Sequence, residues 1–354
     1  MWASMWRRLF PRREAIASRP RPIPEALLVP VSAASTDADP AEALPAPSLE
    51  MIDEAFHRLV FGLPAAASGD PSAAELGMLR RLDLLSERFD LRSLPRLPTV
   101  LPQLLRSLRS DEAAGGELAK LVGRDPLMVG EVMRATSTVF YRSAQPISSL
   151  QQAVVLLGQD GLRRVITQHV MKPILQANAG TRGQAAGKQL WGHAELCAYA
   201  CAWLGRYSSC DSFEAYLAGI VRHTGTGAVV RLLDQLLPGD APPALSCGFV
   251  RSCSRLANRL SLQAARQWEL PPRVLEAMRE CQNPVGPDAS ALGRTLAIAD
   301  SLASARMLDE HDGLATTMDL RHRWPDLAPP TLISRCQRDL EKHFAADAAV
   351  ASVD

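Results

Sequence analysis

From Glu117 onward the chain marks its own helix ends, and that punctuation limits the fold more than any other feature. In "ELAKLVGRDPLMVGEVMRATSTVFY", Gly123 ends one apolar-periodic stretch, Asp125 is placed to cap the next, and Pro126 falls at a first helical position. A proline there loses an N–H that no helix would have paired. In "QPISSLQQAVVLLGQDGLRRVITQHVMKPIL", Ser148 with Gln151 reads as a capping box, Gly158 closes that helix, Asp160 caps another, and Pro173 marks its end. Upstream, "LRSLPRLPTVLPQLLRSL" carries Pro95, Pro98 and Pro102 around a short apolar stretch, which predicts a rigid lead into a helix from Thr99. Alternating apolar and polar residues of the strand type are nearly absent. The expected fold class is all-α.

Organisation follows from composition. Residues 1–47, rich in Pro, Ala and Arg, hold too few large apolar groups to offset the entropy of ordering, and are expected to be a disordered arm. Its first residues, "MWASMWRRLFPRRE", interleave arginines with apolar groups, so they lack the uninterrupted core of a secretory signal. A weak membrane-surface touch is the most such a segment could supply. Residues 48–92 carry apolar spacing of the helical kind, with positions 49, 52, 56, 59 and 60 leading, and predict an N-terminal helical cap. Residues 93–310 form the main domain, one lobe at about 93–176 and a second at about 188–310, with the polar, Gly-rich "QANAGTRGQAAGK" as the seam between them. Helices are expected at about 188–206, 212–236, 254–268, 272–281, 289–308 and 330–344. Residues 311–354 are a linker and a final amphipathic helix, expected to dock on the second lobe.

Several function classes are disfavoured at once. Formal net charge is +1, so a coat for nucleic acid is not expected, and no specific nucleic-acid partner is predicted. Seven cysteines are odd in number and contain no CxxC pair, which points to a reducing, cytoplasmic compartment. No run approaches the roughly eighteen apolar residues of a transmembrane span. The GTG in "RHTGTGAVV" lacks the lysine and preceding strand of a phosphate loop, so Gly225 and Gly227 are expected to permit a tight turn or close helix packing.

The candidate chemistry lies in the second lobe. His193 in "LWGHAELCAYA", His223 in "VRHTG" and Asp300 in "LAIADSLASA" sit in or beside apolar helices, and imidazole with carboxylate suits Zn, Fe or Mn. Arg163 and Arg164 open the second helix of a segment with helix-turn-helix length, and are candidates for contact with an anion or a partner.

Taken in order, "LPRLPTVLPQLLRSL", "ELAKLVGRDPLMVGEVMRATSTVFY", "ISSLQQAVVLLGQDGLRRVI", "LWGHAELCAYACAWLG", "EAYLAGIVRHTG", "WELPPRVLEAMREC" and "LAIADSLA" resemble the HDOD family, bacterial proteins related to the HD-domain metal phosphohydrolases. The resemblance covers about 94–308 and implies a two-lobed helical bundle used in signalling or regulation, usually without demonstrated catalysis. In HD enzymes the ligands include a histidine, an adjacent His-Asp pair and a later aspartate. His193, His223 and Asp300 stand at the matching places, but Thr224 replaces the aspartate of the pair, and a hydroxyl brings no bridging charge. Cys281 and Gln282 stand where many relatives carry two histidines, and Thr136 where an asparagine is common.

These departures imply a vestigial metal site of His193, His223, Thr224 and Asp300, no catalytic residue, no expected cofactor beyond a weak possibility of one divalent ion, and signalling proteins as partners. The competing expectations are a metal-dependent phosphohydrolase or cyclic-dinucleotide phosphodiesterase with a reduced ligand set and, further off, a DNA-binding regulator. Oligomeric state is not legible.

Overall fold

The computed structural model of the chain describes residues 49–65, 69–88, 119–120, 122–136, 147, 149–176, 180–237, 239, 242–284, 289–312, 320 and 327–351. Within them the regular structure is entirely helical: α1 (Leu49–Phe61), α2 (Ala73–Arg88), α3 (Pro126–Thr136), α4 (Leu150–Gln176), α5 (Gly180–Gly205), α6 (Ser212–Val221), α7 (Thr224–Leu236), α8 (Cys247–Gln267), α9 (Pro272–Glu280), α10 (Ala291–Asp312) and α11 (Pro330–Ala351). The arm at 1–47, the proline-rich lead with its helix from Thr99, and Ser148 lie outside the described residues.

Side chains and one glycine set several of the helix ends. Asp125 Oδ1 accepts from the backbone of Leu127 at 2.9 Å and of Met128 at 3.3 Å, and so starts α3. Gly158 takes φ 65° and interrupts α4, a left-handed conformation that favours glycine. Asp211 caps α6, accepting from Phe213 and Glu214. Capping at α4 comes from Ser149, whose hydroxyl accepts from Gln152 at 3.2 Å.

Three expectations need correction. The Gly-rich stretch expected as a seam supplies the first turns of α5, which begins at Gly180. Its Gly187 lets α5 cross the end of α4, since a Cβ there would stand 3.1 Å from Gln176 Cα. Pro173 sits inside α4, within the final turn, and the helix runs on to Gln176. The single helix expected at 212–236 is two, α6 and α7, broken at Arg222–His223.

Helix α5 is the central element, packed against α1, α4, α6, α7, α10 and α11. Its buried Leu190, Ala194, Cys197, Ala198 and Cys201 give it an apolar face toward several neighbours at once. The final helix docks as expected: Ile333, Cys336 and Leu340 are buried, and Tyr199 of α5 donates to Asp339 at 2.7 Å. The described residues of the two expected lobes, with α1, α2 and α11, belong to one compact unit, Leu44–Asp354.

The N-terminal cap is integral to that unit. Helix α1 touches α5, α7, α8 and α10, and α2 touches α7 and α8. Arg58 donates to the carbonyls of Pro64 and Leu245, both at 3.0 Å. Glu75 accepts from the backbone of Ser72 and of Ser246, each at 2.6 Å, and Gly69 O accepts from Gly248 N at 3.0 Å.

Candidate functional site

The break between α6 and α7 builds the site. Gly219 on α6 lies so close to α5 that a Cβ would stand 2.7 Å from Ala198 Cα. Gly225 on α7 lies against α8, where a Cβ would stand 2.3 Å from the Ala257 carbonyl, and its N–H donates to Ser261 at 2.8 Å. Those two close approaches bracket Arg222–His223 and hold the turn between three helices. Of the two packing roles expected for Gly225, close helix packing is the one seen.

The turn places His223 beside His193 of α5 and Asp300 of α10. His223 Nε2 donates to Asp300 Oδ1 at 2.9 Å, while its Nδ1 lies 3.3 Å from the Thr226 hydroxyl. His193 Nε2 is 3.3 Å from the same Asp300 oxygen and 3.1 Å from the Ser304 hydroxyl. These three residues offer ligand atoms all within 4.8 Å of one another, so the sequence-predicted histidines and aspartate do converge.

Thr224 does not join them. Its hydroxyl turns back to the Val221 carbonyl at 2.8 Å, a bond within its own turn. Cys281 is buried and donates weakly to the Met278 carbonyl. Burial pushes its thiol up to about 11, so no thiolate is offered.

Sequence reasoning missed half of the centre. Arg222 donates from Nε to Asp300 Oδ2 at 3.1 Å and from a terminal nitrogen to Asn258 at 2.5 Å. From α1, Phe56 packs on both imidazoles, its ring 4.5 Å from that of His193 and 4.8 Å from that of His223. Next to it His57, fully buried, uses Nδ1 toward the Asp53 carbonyl at 2.8 Å and the Asp53 carboxylate at 3.3 Å. Ser254 of α8 donates to the other Asp53 oxygen at 3.0 Å. The second His57 nitrogen finds no hydrogen-bond partner among the described residues, and its ring stands edge-on to His223 at 5.5 Å.

The charge states follow from these contacts. Burial pushes the Asp300 carboxyl up, but Arg222 and then His223 outweigh it and hold the group well below the usual range. Burial likewise opposes ionisation of Asp53, and the facing His57 brings that carboxyl down to about 2. Burial opposes the charged His57 ring, and Asp53 overcomes it, so the imidazole titrates above its ordinary value. His193 moves the other way: burial, then His223, draws it down to about 3. Burial lowers His223 as well. Near neutral pH the centre therefore holds the Arg222 guanidinium, the Asp300 and Asp53 carboxylates and the neutral imidazoles of His193 and His223, while Asp53 shifts His57 toward its charged form.

Against that set the metal of HD enzymes fits poorly. One Asp300 oxygen is taken by a guanidinium and the other by two imidazoles. No second carboxylate bridges, because Thr224 has replaced it, and a divalent ion would add positive charge beside the buried Arg222 guanidinium. Phe56 packs over both imidazole rings.

Arg163 and Arg164 are engaged inside the fold. Arg163 is buried, bonded to Asp160 at 3.4 Å, and lies 5.8 Å over the Phe213 ring. Arg164 donates to Ser212 at 2.8 Å and lies 5.4 Å over Tyr216. Both fasten α4 to α6.

The HDOD domain profile matches residues 94–284, more than half of the chain. The chain belongs to the HDOD family. No curated protein matches the sequence. Among solved structures, a candidate metal-dependent phosphohydrolase from Shewanella amazonensis shares the fold at TM-score 0.55 and 16% identity, over 77% of this chain and 100% of its own. An HDOD domain protein of unknown function from Geobacter sulfurreducens superposes at TM-score 0.52 and 18% identity, over 75% and 97%. A candidate signal transduction protein from Marinobacter aquaeolei does so at 0.50 and 17%, over 89% and 68%. At such identities the likeness establishes the HDOD-type helical fold alone. The family profile ends before Asp300 and begins after α1, so part of the centre comes from outside it. Among the described residues no helix is long and apolar enough to cross a membrane.

Proposed function

We propose that this HDOD protein is a cytoplasmic regulatory module that acts by binding signalling proteins and not by hydrolysis. The observation that carries this reading is the fate of the HD carboxylates. Thr224 closes on its own turn, and Asp300 spends both oxygens on Arg222, His193 and His223. Among the described residues of the centre, Asp300 keeps no free oxygen to bridge two ions, as metal-assisted hydrolysis at a two-metal site requires.

The convergence of His193, His223 and Asp300 is what a second reading rests on, a phosphohydrolase or cyclic-dinucleotide phosphodiesterase working with one ion. The two separate in a single assay. The full-length protein is incubated with an activated phosphodiester and with cyclic dinucleotides in the presence of Mn²⁺, Fe²⁺ or Zn²⁺, beside His223→Ala. The regulatory reading expects no turnover that differs between the two proteins. Hydrolysis abolished by His223→Ala would establish the enzyme instead.

A further inference from the structure

Asp300 sits at a place where a carboxylate and two imidazoles converge, yet its neighbours are those of a closed ion pair. The Arg222 guanidinium is bonded to Asp300 Oδ2 at 3.1 Å and anchored from behind by Asn258. Both imidazoles turn Nε2 to the remaining oxygen, at 2.9 and 3.3 Å. Over them lies α1, whose Phe56 covers both rings and whose Asp53 and His57 form a second pair tied to α8 through Ser254.

We infer that Arg222 has taken the place of the metal as the counter-ion of Asp300, and that the centre so closed is the seat on which the N-terminal helix α1 is locked. A buried carboxylate needs a cation. In an HD centre a metal supplies it; here a side chain one residue before His223 does, and it leaves Asp300 no free oxygen. With no ion or substrate to admit, the face above the imidazoles is free to be covered, and α1 covers it with an aromatic ring and an ion pair of its own. Because α1 lies upstream of the family domain, the chain has turned an ancestral reaction site into an internal docking site.

The inference rests on the non-catalytic reading but fails separately from it. Metal bound without turnover would overturn the inference and leave that reading standing. Turnover without bound metal would do the reverse.

The test is metal uptake by the full chain. Wild-type protein and Arg222→Leu, each stripped with chelator, are titrated with Co²⁺ and followed by the visible absorption of the bound ion, with Zn²⁺ displacement as the check. Wild type should show no saturable site. Arg222→Leu should gain about one ion per chain, at least about tenfold tighter than anything wild type binds, and lose it when His223→Ala is added. A folded Arg222→Leu that takes up no ion would overturn the inference, as would wild type binding an ion that His223→Ala removes. If Arg222→Leu does not fold, the wild-type titration with its His223→Ala control decides alone. The lock is read by hydrogen exchange: Phe56→Ala should speed exchange of α1 amides at least about tenfold while α5 stays protected. Unchanged α1 exchange in that variant would overturn the lock.

Discussion

Two carboxylate pairs lie side by side at the centre of this protein and obey different physics. Asp300 with Arg222 is deep: the aspartate side chain is 15% exposed, the arginine 5%, and two imidazoles fill the remaining valences. Asp53 with His57 is at the rim, with the histidine buried but the aspartate side chain 41% exposed. In the first, removing either partner strands the other charge in the interior, at a cost in stability. In the second, solvent already reaches the carboxylate and screens the pair, so its worth is small even though the same residue types are in contact. The difference shows that the two pairs do different jobs. One holds the centre of the bundle together, and the other orients a helix laid over it.

The same substitution at the two aspartates separates them most sharply. Asp300→Asn strands Arg222 and should cost about 3–5 kcal/mol, read as a loss of most of the denaturation midpoint. Phe56→Ala comes next, at about 3–5 kcal/mol if the site does not collapse and less if α1 settles into the space. Equal melting of Asp300→Asn and wild type would break the account of the deep pair.

Acid tests the imidazoles. His193 is drawn to about 3 in the folded chain, while the unfolded chain takes up its proton near 6.5. Below 6.5 the unfolded state therefore binds more protons, and stability should fall as pH drops from about 6.5 toward 3. His223 shifts in the same direction. His57 runs opposite: its raised value gives stability that is present below 6.5 and lost as pH rises through its folded value. Replacing His193 with Gln should flatten the acid limb of a stability–pH curve. An unchanged slope would mean that His193 carries its proton in the fold.

The smallest effect belongs to Asp53→Asn, under about 1 kcal/mol, which removes the stabilisation that the carboxyl, lowered to about 2, supplies above about pH 4 and loses as pH falls toward 2. A cost matching that of Asp300→Asn would erase the distinction between rim and interior.

Much of this was legible in the sequence, and the rest was hidden for identifiable reasons. Asp125, Pro126, Gly158 and the amphipathic pattern of 330–344 declare themselves through local chemistry. His193, His223 and Asp300 could be paired by their places in a family pattern. Arg222 could not, because a cation at the end of the apolar run "YLAGIV" reads as a helix tip facing water, and only the close approaches at Gly219 and Gly225 turn it inward. Phe56 was visible as a core position of α1, but nothing local shows which core. Asp53 and His57, four apart on α1, carried the one faint signal: a histidine on the apolar face with a carboxylate one turn before it. The Gly-rich stretch that opens α5 misled because Gly187 serves close packing at Gln176, a use that composition does not distinguish from a linker.

The central claim is that a side chain, and not an ion, balances Asp300. Its most direct test is a crystal structure of the full chain expressed in zinc-supplemented medium, with diffraction collected on both sides of the zinc absorption edge. The account predicts no anomalous peak among His193, His223 and Asp300, and the Arg222 guanidinium within hydrogen-bond distance of Asp300. A peak shared by those three residues, with Arg222 turned away, would contradict it.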